Sequence, residues 1–339
     1  MTEQTTHPEL LTPSGKKETR LFAILCATAT WSSAFVLIVL LSAVVFKAWG
    51  WFDWDFLTSY DSRRPQKAGI FAGLIGTAWM IFFTILFSVP IGVGAAIYLE
   101  EYAKDNWLSR LIRINLANLA GVPSIVYGIL GVTVFVRAFG VFGDDGHLDS
   151  FVGWSISELN FLGVKISLPL GEVVLSGAMT MTLLILPVII IAAQEALRGV
   201  PPSVRHASLA LGASKWQTIR NQVLPAAIPG IMTGVILSIS RAIGETAPLI
   251  CLGIAAYVPF APGGIDSPEA LMKQPEGVLQ APFDYFTVIP IQIYNWALDH
   301  RSAYKGLAAA GICVLLLSLL VLNGLAILIR NRANRHIRW

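Results

Sequence analysis

Charged residues are scarce in this sequence. Asp, Glu, Lys and Arg make up 13% of its 339 residues, against roughly 25% in an ordinary soluble domain. Hydrophobic residues make up 55%, and several uncharged runs reach the about 20 residues that a helix needs to cross a bilayer. The composition therefore excludes a water-soluble globule and predicts a polytopic membrane protein.

Cysteine is equally scarce. The three cysteines, Cys26, Cys251 and Cys313, are odd in number and lie in or beside apolar runs. This excludes a disulfide scaffold and favours packing as small hydrophobic side chains. The sequence also lacks a Gly-x-x-x-x-Gly-Lys-Ser/Thr loop and any His, Cys, Asp and Glu cluster with metal-ligand spacing. We therefore expect no cofactor in this chain and no ATP hydrolysis by the chain alone.

Six apolar segments predict transmembrane helices, and thus an all-α integral membrane protein. They are residues 21–46, 69–99, 114–136, 173–194, 226–254 and 306–329. The first follows a polar tail, residues 1–20, and is longer than the roughly 7 to 15 apolar residues of a cleavable signal, so we interpret it as an anchor. The other five form a transmembrane domain over residues 68–330. The fifth is predicted as one helix that carries Arg241 and Glu245 into the membrane.

The distribution of positive charge predicts the orientation of these spans. With six spans, both termini share one side of the membrane with residues 100–113 and 195–225. That side holds 14 of the 24 Lys and Arg residues, and the other side holds 9. The positive-inside rule then puts both termini in the cytoplasm, including a basic tail over 330–339 that is expected to bind anionic lipid. Residues 255–305 form a periplasmic segment.

The segment between the fourth and fifth spans contains clear helix start and stop signals. The Pro201–Pro202 pair ends the preceding helix. Ser203 is predicted to cap a short helix over Val204–Leu211, which Gly212 ends, and a Ser-x-x-Gln capping box begins at Ser214. A helix of about two turns is not stable alone in water. It is therefore expected to dock on a partner.

This segment resembles the EAA loop of bacterial ABC importer permeases, whose Glu-Ala-Ala, Gly and Leu-Pro spacing it matches. Three positions depart from the family pattern: His206 replaces Glu, Ser208 replaces Ala, and Gln222 replaces Ile. In the family, the loop forms a coupling helix that inserts into a groove on the ATP-hydrolysing subunit. By resemblance, the residues that contact the ATPase here are Ser203, Arg205, His206, Ala207, Ser208, Gly212, Ala213, Leu224 and Pro225.

The run from Arg241 to Leu249 reads Arg-Ala-Ile-Gly-Glu-Thr-Ala-Pro-Leu and narrows the choice among ABC importer permeases. Together with Pro90–Tyr102, Gly121–Gly128 and Ile291–Trp296, it resembles the PstA-type permease of the bacterial phosphate importer. The resemblance implies a type I ABC importer permease fold that supplies half of a pore in the inner membrane. It also implies a PstC-like sister permease, two PstB-like ATPase subunits that bind ATP and Mg, and a periplasmic or lipid-anchored PstS-like phosphate-binding protein. Nucleic acid is not expected as a partner.

Two opposite charges within the fifth span indicate a functional site, independently of the family resemblance. A charge at the bilayer centre costs roughly 2.5–3.5 kcal/mol on insertion scales, so it normally faces the bundle interior or a water-filled path. A spacing of four puts Arg241 and Glu245 on one helix face, and guanidinium is suited to phosphate. Our hypothesis is that Arg241, Glu245 and Thr246 line the phosphate path. The alternative is a structural ion pair that locks this helix to a neighbour.

Three other functions stay open at this point. The coupling loop is shared across ABC importers, so a permease for another small solute is the nearest alternative, and only the stretch from Arg241 to Leu249 argues for phosphate. A secondary transporter would work without an ATPase and typically shows internal repeats with broken helices at the midplane, and we find no convincing repeat in the sequence. A regulatory membrane scaffold that senses phosphate through its partners is the third alternative.

Overall fold

Long apolar runs form most of the structure, a computed structural model that describes residues 13–137, 158–161, 164–167, 170–254, 257–264 and 275–334. The helices, in chain order, are α1 (Pro13–Ala48), α2 (Trp54–Thr58), α3 (Phe71–Ile97), α4 (Trp107–Ala120), α5 (Ser124–Gly131), α6 (Val174–Arg198), α7 (Pro202–Ala210), α8 (Lys215–Thr218), α9 (Leu224–Gly244), α10 (Ala247–Leu252), α11 (Pro275–Gln280), α12 (Ile289–Leu298) and α13 (Ser302–Asn334). Part of the predicted periplasmic segment and of the basic tail lies outside the described residues.

Short irregular elements join or extend these helices. Single π turns continue α3 over Tyr98–Tyr102, α5 over Val132–Val136 and α8 over Ile219–Val223. Two 3₁₀ turns cover Pro65–Lys67 and Ala281–Phe283. An antiparallel hairpin, β1 (Glu158–Phe161) and β2 (Val164–Ser167), pairs Glu158 with Ser167. The hairpin is a small addition to the helical fold that the sequence predicts.

Within the described residues, five helices are long and apolar enough to cross a membrane, judged by length and composition. They are Arg20–Ala48, Phe71–Tyr102, Val174–Arg198, Lys215–Gly244 and Ser302–Arg332. Most of them extend a few residues past the predicted limits, because polar residues continue each helix beyond its apolar run. The bent pair described next brings the number to six when it is counted as one span.

The prediction of one continuous helix over 114–136 is wrong. Two helical arms, Trp107–Ala120 and Ser124–Val136, meet there at 103°. Pro123 precedes the second arm with φ −55° and ψ 135°, outside the helical region. Proline has no amide hydrogen to continue a helix and disfavours the helical conformation in the residue before it. The Gly121–Pro123 segment is therefore a corner between two helices.

The fifth span is also broken, so the predicted continuous helix over 226–254 is wrong. Helix α9 ends at Gly244, Glu245 is extended with φ −81° and ψ 115°, and α10 begins at Ala247. Pro248 lies in the first turn of α10. In an unbroken helix its missing amide would leave the carbonyl of Gly244 without a partner, and its ring would clash with that carbonyl. Pro248 therefore favours a break, and the structure has it at Glu245 and Thr246.

Helix α6 forms the centre of the bundle. Its fully buried side chains include Met181, Ile185 and Ile189, and α3, α4, α5 and α9 pack around it. Helix α9 approaches α6 closely because Gly230 and Gly234 lie directly against alanines of α6. Small residues four positions apart allow such an approach in membrane helices. Helix α1, in contrast, packs mainly against α13, and its apolar segment is not buried within the chain.

The loop before α3 is fixed to the corner between α12 and α13. Trp296 Nε1 donates to Asp61 Oδ1 at 3.0 Å, and the hydroxyl of Tyr304 donates to the carbonyl of Ser62 at 2.7 Å. Burial raises the pKa of Asp61, although the hydrogen bonds from Trp296 and from the Ser62 amide act in the opposite direction. The ionised carboxylate of Asp61 therefore costs stability. The protonated carboxyl is the form that the folded state favours. The resulting stabilisation is fully present below the unfolded pKa of Asp61 and is lost as the pH rises through the raised folded pKa.

Substitution of Asp61 tests whether its charge costs stability while its hydrogen bond with Trp296 contributes to stability. Asp61→Asn keeps the acceptor for Trp296 and removes the buried charge, so we expect unchanged or increased thermal stability at pH 7 in detergent. Asp61→Ala leaves the buried indole N–H unpaired and should destabilise the protein by about 1–3 kcal/mol. The gain of the Asn variant over the wild type should shrink as the pH falls. Equal destabilisation by Asn and Ala would contradict the assignment.

Candidate functional site

A short helix, α7, stands between the central helix α6 and the fifth span. It begins two positions earlier than a Ser203 cap would allow: Pro201 is the N-cap residue and Pro202 the first helical residue. The predicted cap at Ser203 and the predicted bounds of 204–211 are therefore wrong. Proline favours the first helical position, because its φ is preset and its missing amide has no partner there anyway.

The end of α7 agrees with the sequence prediction. Gly212 has φ +84°, its amide donates to the carbonyl of Leu209 at 3.0 Å, and the amide of Ala213 donates to the carbonyl of Ser208 at 3.2 Å. These two bonds form a Schellman motif, which needs a left-handed residue at this position. The capping box that follows is also confirmed, because Ser214 N donates to Gln217 Oε1 at 2.8 Å and Gln217 N donates to Ser214 Oγ at 3.3 Å.

Arg205 anchors α7 to two other elements. Its Nη1 and Nη2 donate to the carbonyls of Val200 and Leu197, at 2.7 and 2.8 Å, where α6 ends. Its Nε and Nη2 also donate to Glu101 Oε1, at 3.1 and 2.9 Å, in the π turn after α3. A second ion pair joins Arg198 to Glu100 at 2.9 Å. Residues 98–113 and 195–225 therefore lie at the same end of the bundle, which we call the loop end.

The other predicted coupling residues lie on or behind α7. Ser208 Oγ and Thr218 Oγ1 are hydrogen-bonded at 2.9 Å, which ties α7 to α8. Ser203, His206, Ala207 and Gly212 are exposed, and Ala213 is half-buried. Leu224 and Pro225 start α9, also half-buried, and Leu224 packs against the main core. The predicted set thus divides into an exposed surface on α7 and two residues that hold the following helix.

The surface around α7 is apolar and open. Val204, Ala207, Leu211 and Ala213, together with polar residues of the following segment, line a groove of about 560 Å³. Leu211 is 89% exposed and Trp216 is 52% exposed. Grouped apolar side chains on a water-facing loop commonly mark a protein interaction site.

The Schellman motif predicts a specific effect of substitution at Gly212. A Cβ at this position would meet no other atom within 4 Å, so Gly212→Ala should act through backbone strain alone, about 1 kcal/mol. We expect faster hydrogen exchange of the amides over 208–213. Gly94→Ala is the matched control, because that helical glycine also has open space around it. Equal exchange in both variants would show that the loop does not require the left-handed conformation.

The second candidate site lies at the break between α9 and α10. Arg241 Nε contacts Glu245 Oε1 at 3.2 Å, and the two side chains are 45% and 23% exposed. Thr246 is the N-cap residue of α10, and its carbonyl accepts from the amides of Leu249 and Ile250. The structure therefore brings Arg241, Glu245 and Thr246 together, although Glu245 no longer belongs to the helix that carries Arg241.

Arg241 points away from the core of its own chain. Thr233, Leu237, Arg241 and Gly244 form an exposed face of α9, while the opposite face, with residues such as Ala242, is buried. The short helix α10 packs against α5, where Gly128 lies against the backbone of Pro248. The two broken spans thus meet beside the ion pair.

Two ion-pair partners at the loop end were not predicted from the sequence. Glu100 and Glu101, at the end of α3, are the ion-pair partners of Arg198 and Arg205. Two adjacent acidic residues directly after an apolar span are visible in the sequence. Their partners lie about a hundred positions further along the chain, and local spacing does not identify them.

The fold defines the class of protein. It is the fold of type I ABC importer permeases, as in a chain from the crystal structure of a bacterial alginate ABC transporter in complex with an alginate pentasaccharide-bound periplasmic protein. The two chains superimpose with a TM-score of 0.59 over 96% of this chain and 98% of the other, at 17% identity. A second alginate importer structure gives a TM-score of 0.56 over 94% and 96%, at 16% identity.

Residues 88–335 match the family described as binding-protein-dependent transport system inner membrane component, and the chain belongs to this family. Its relatives include the probable ABC transporter permease protein YqgI of Bacillus subtilis, 28% identical over 86% of this chain and 87% of the relative. The phosphate transport system permease protein PstA of Yersinia pestis is 28% identical over 77% and 73%. PstA 1 of Mycobacterium tuberculosis is 32% identical over 64% and 62%.

These findings confirm the helical importer-permease fold and the resemblance to PstA proteins. The chain is a multi-pass permease subunit of an ABC importer. Family membership favours this function over the secondary transporter that the sequence left open.

Proposed function

We propose that this chain is the permease subunit of an ATP-driven phosphate importer and forms half of its translocation pathway. The observation that carries the proposal is Arg241, a permanent positive charge on the exposed face of a membrane-spanning helix, directly beside a helix break. The similarity to PstA proteins supports phosphate as the solute.

The position of Arg241 favours a path between two permease chains. A guanidinium that faced lipid would cost several kcal/mol on insertion scales, so the exposed face of α9 has to contact protein or water. A PstC-like sister permease on this face would enclose Arg241 between the two chains. In the described residues the ion pair with Glu245 engages Nε, which leaves the paired terminal nitrogens for a phosphate. Glu245 keeps the empty site neutral and yields its place to the anion.

The loop end is the proposed site of coupling to the ATPase. The exposed apolar side chains of α7, Leu211 above all, and the adjoining groove suit insertion into a partner subunit. We assign this partner as a PstB-like ATPase, present in two copies, which binds the ATP and Mg. The contact residues are those predicted from the sequence, from Ser203 to Ala213, with Leu224 and Pro225 supporting them from behind.

The proposed orientation has the loop end and both termini in the cytoplasm of a bacterium. The pairs Arg198–Glu100 and Arg205–Glu101 support the shared side of residues 98–113 and 195–225, and the excess of Lys and Arg on that side supports its cytoplasmic location. A PstS-like protein then delivers phosphate to the opposite end, over the segment 255–305. The basic tail, residues 330–339, contacts lipid.

The phosphate path is tested by Arg241→Gln in vesicles that contain the complete importer. We expect ATP-dependent uptake of labelled phosphate to fall at least about tenfold, because a hydrogen bond to a charged group contributes about 1.5–3 kcal/mol, while the complex stays assembled. Arg330→Gln is the matched control. Arg330 Nη1 donates to Thr233 Oγ1 on the same face of α9, at 3.2 Å, but lies near the end of α13.

Two results would contradict this proposal in different ways. Loss of assembly in the Arg241 variant would support a structural ion pair in place of a path. A fully assembled wild-type importer that hydrolyses ATP without phosphate uptake would keep the permease function and exclude phosphate. The substrate would then be another small solute.

The coupling surface is tested by Leu211→Ser. Burial of a leucine contributes about 1.5–3 kcal/mol, so we expect the affinity of the permease in nanodiscs for the purified ATPase subunit to fall at least about tenfold. Leu298→Ser is the control, since Leu298 is an exposed leucine on α12, at the end of the bundle opposite the loop end. Equal affinity of both variants would place the ATPase contact elsewhere.

A further inference from the structure

Four basic residues, each from a different helix, converge on the π turn Tyr98–Tyr102 that ends α3. Each contacts a different residue of the turn. Arg113 Nη2 donates to the carbonyl of Leu99 at 2.7 Å, Arg198 pairs with Glu100 at 2.9 Å, Arg205 pairs with Glu101 at 2.9 Å, and the Lys215 ammonium lies 5.1 Å from the ring centre of Tyr102. The end of α3 is therefore fixed to α4, α6, α7 and α8 by charged groups.

The pair of Glu101 with Arg205 is the most enclosed of these ionic contacts. Glu101 is 9% exposed and Arg205 is 21% exposed. In the neighbouring pair, Glu100 is 17% exposed and Arg198 is 51% exposed. An exposed ion pair contributes about 0–1 kcal/mol, but loss of one partner from a buried pair leaves an uncompensated charge and is far more costly. The Glu101 contact is thus a firm connection, and the neighbouring Glu100 contact is a weak one.

Arg205 joins α7 to two helices through separate bonds. The carbonyls of Leu197 and Val200 hold it to the end of α6, and Glu101 holds it to the end of α3. Removal of Glu101 would therefore cut the direct bonds from α7 to the end of α3 and leave the bonds to the end of α6 in place. The two connections are separable by a single substitution.

Helix α3 connects the loop end with the opposite end of the bundle. At that far end, Thr77 Oγ1 accepts from the amide of Ile289 at 3.0 Å, and the carbonyl of Gly69, just before α3, accepts from Gln292 Nε2 at 2.8 Å. Both partners belong to α12, which leads into the last span. A displacement of α3 at the end near Glu101 would therefore reach the first turn of α12.

We propose that Glu101 is a positioning residue that transmits movement of α7 to α3. The inference rests on the proposed function, because it assumes that an ATPase subunit displaces α7. Through the Glu101–Arg205 contact, this displacement moves α3 together with α6 and changes the opposite end of the bundle. Without Glu101, α7 loses its direct bond to α3, and the movement reaches α3 only indirectly, through the packing of α3 on α6.

The experiment uses the complete importer with Glu101→Ala, and Glu100→Ala as the matched control. We expect the Glu101 variant to hydrolyse ATP while the solute transported per ATP falls at least about fivefold, the lower end of a typical coupling between sites. The control should stay within about twofold of the wild type, since exposed pairs contribute little. Glu101→Gln, which keeps an acceptor oxygen for Arg205, should recover part of the ratio.

A second readout separates this proposal from the choice of substrate. ATP-dependent changes in hydrogen exchange over residues 71–80, at the far end of α3, require no transported solute. We expect these changes in the wild type and the Glu100 variant, and their loss in the Glu101 variant. A wild-type complex without phosphate uptake but with these exchange changes would contradict phosphate as the transported solute. It would leave the proposed role of Glu101 intact. An unchanged transport ratio or unchanged exchange in Glu101→Ala would overturn the link, as would a failure of both Glu101 variants to assemble.

Discussion

Backbone hydrogen bonding limits what this chain can do inside a bilayer. Lipid offers no partner to an unpaired amide or carbonyl, so irregular backbone at membrane depth must be covered by protein or line a wet cavity. The short helices that follow the two interruptions, α5 and α10, pack against each other at Gly128 and Pro248. Gly121 and Pro123, at the first interruption, stay exposed on this chain, so water or a partner chain has to cover the backbone there.

The lack of polar partners in lipid also limits where charged side chains are tolerated. Arginine keeps its proton under all ordinary conditions, so an arginine near the membrane needs a permanent counter-charge. Arg205 has Glu101 at the loop end, where both are largely buried, and Arg241 has Glu245 at the interrupted span, where the guanidinium is half-exposed. The first pair is enclosed by its own chain and holds helices together. The second is open on one side, which suits a group that exchanges partners.

Local signals in the sequence predicted local structure well. Gly212 and the Ser214–Gln217 capping box act within a few residues, and both have the predicted geometry. The apolar runs likewise gave the spanning segments, because burial of a helix in lipid depends on composition. Pro123 was visible too, but membrane helices often tolerate proline, and the sequence alone does not distinguish a mild kink from a bend of 103°.

One error was local: Ser203 is a good capping residue by type, but Pro201 takes the N-cap position and Pro202 begins the helix, two positions before the predicted start. The other errors arose where distant residues decide. The continuation of the apolar pattern past Arg241 favoured a single helix, whereas packing of α10 on α5 provides a place for a broken one. Glu101 is visible as one of two acidic residues after an apolar span, but its partner is 104 positions away. These features depend on tertiary contacts that hydrophobic periodicity does not encode.

Helix α1 is joined to the rest of the chain on one side. It packs mainly against α13, its apolar surface is otherwise exposed on this chain, and it precedes the part of the sequence that matches the family, residues 88–335. The other helices of the bundle therefore do not depend on α1 to fill the space between them. A change of one apolar residue for another on the exposed side of α1 should leave their packing unaltered.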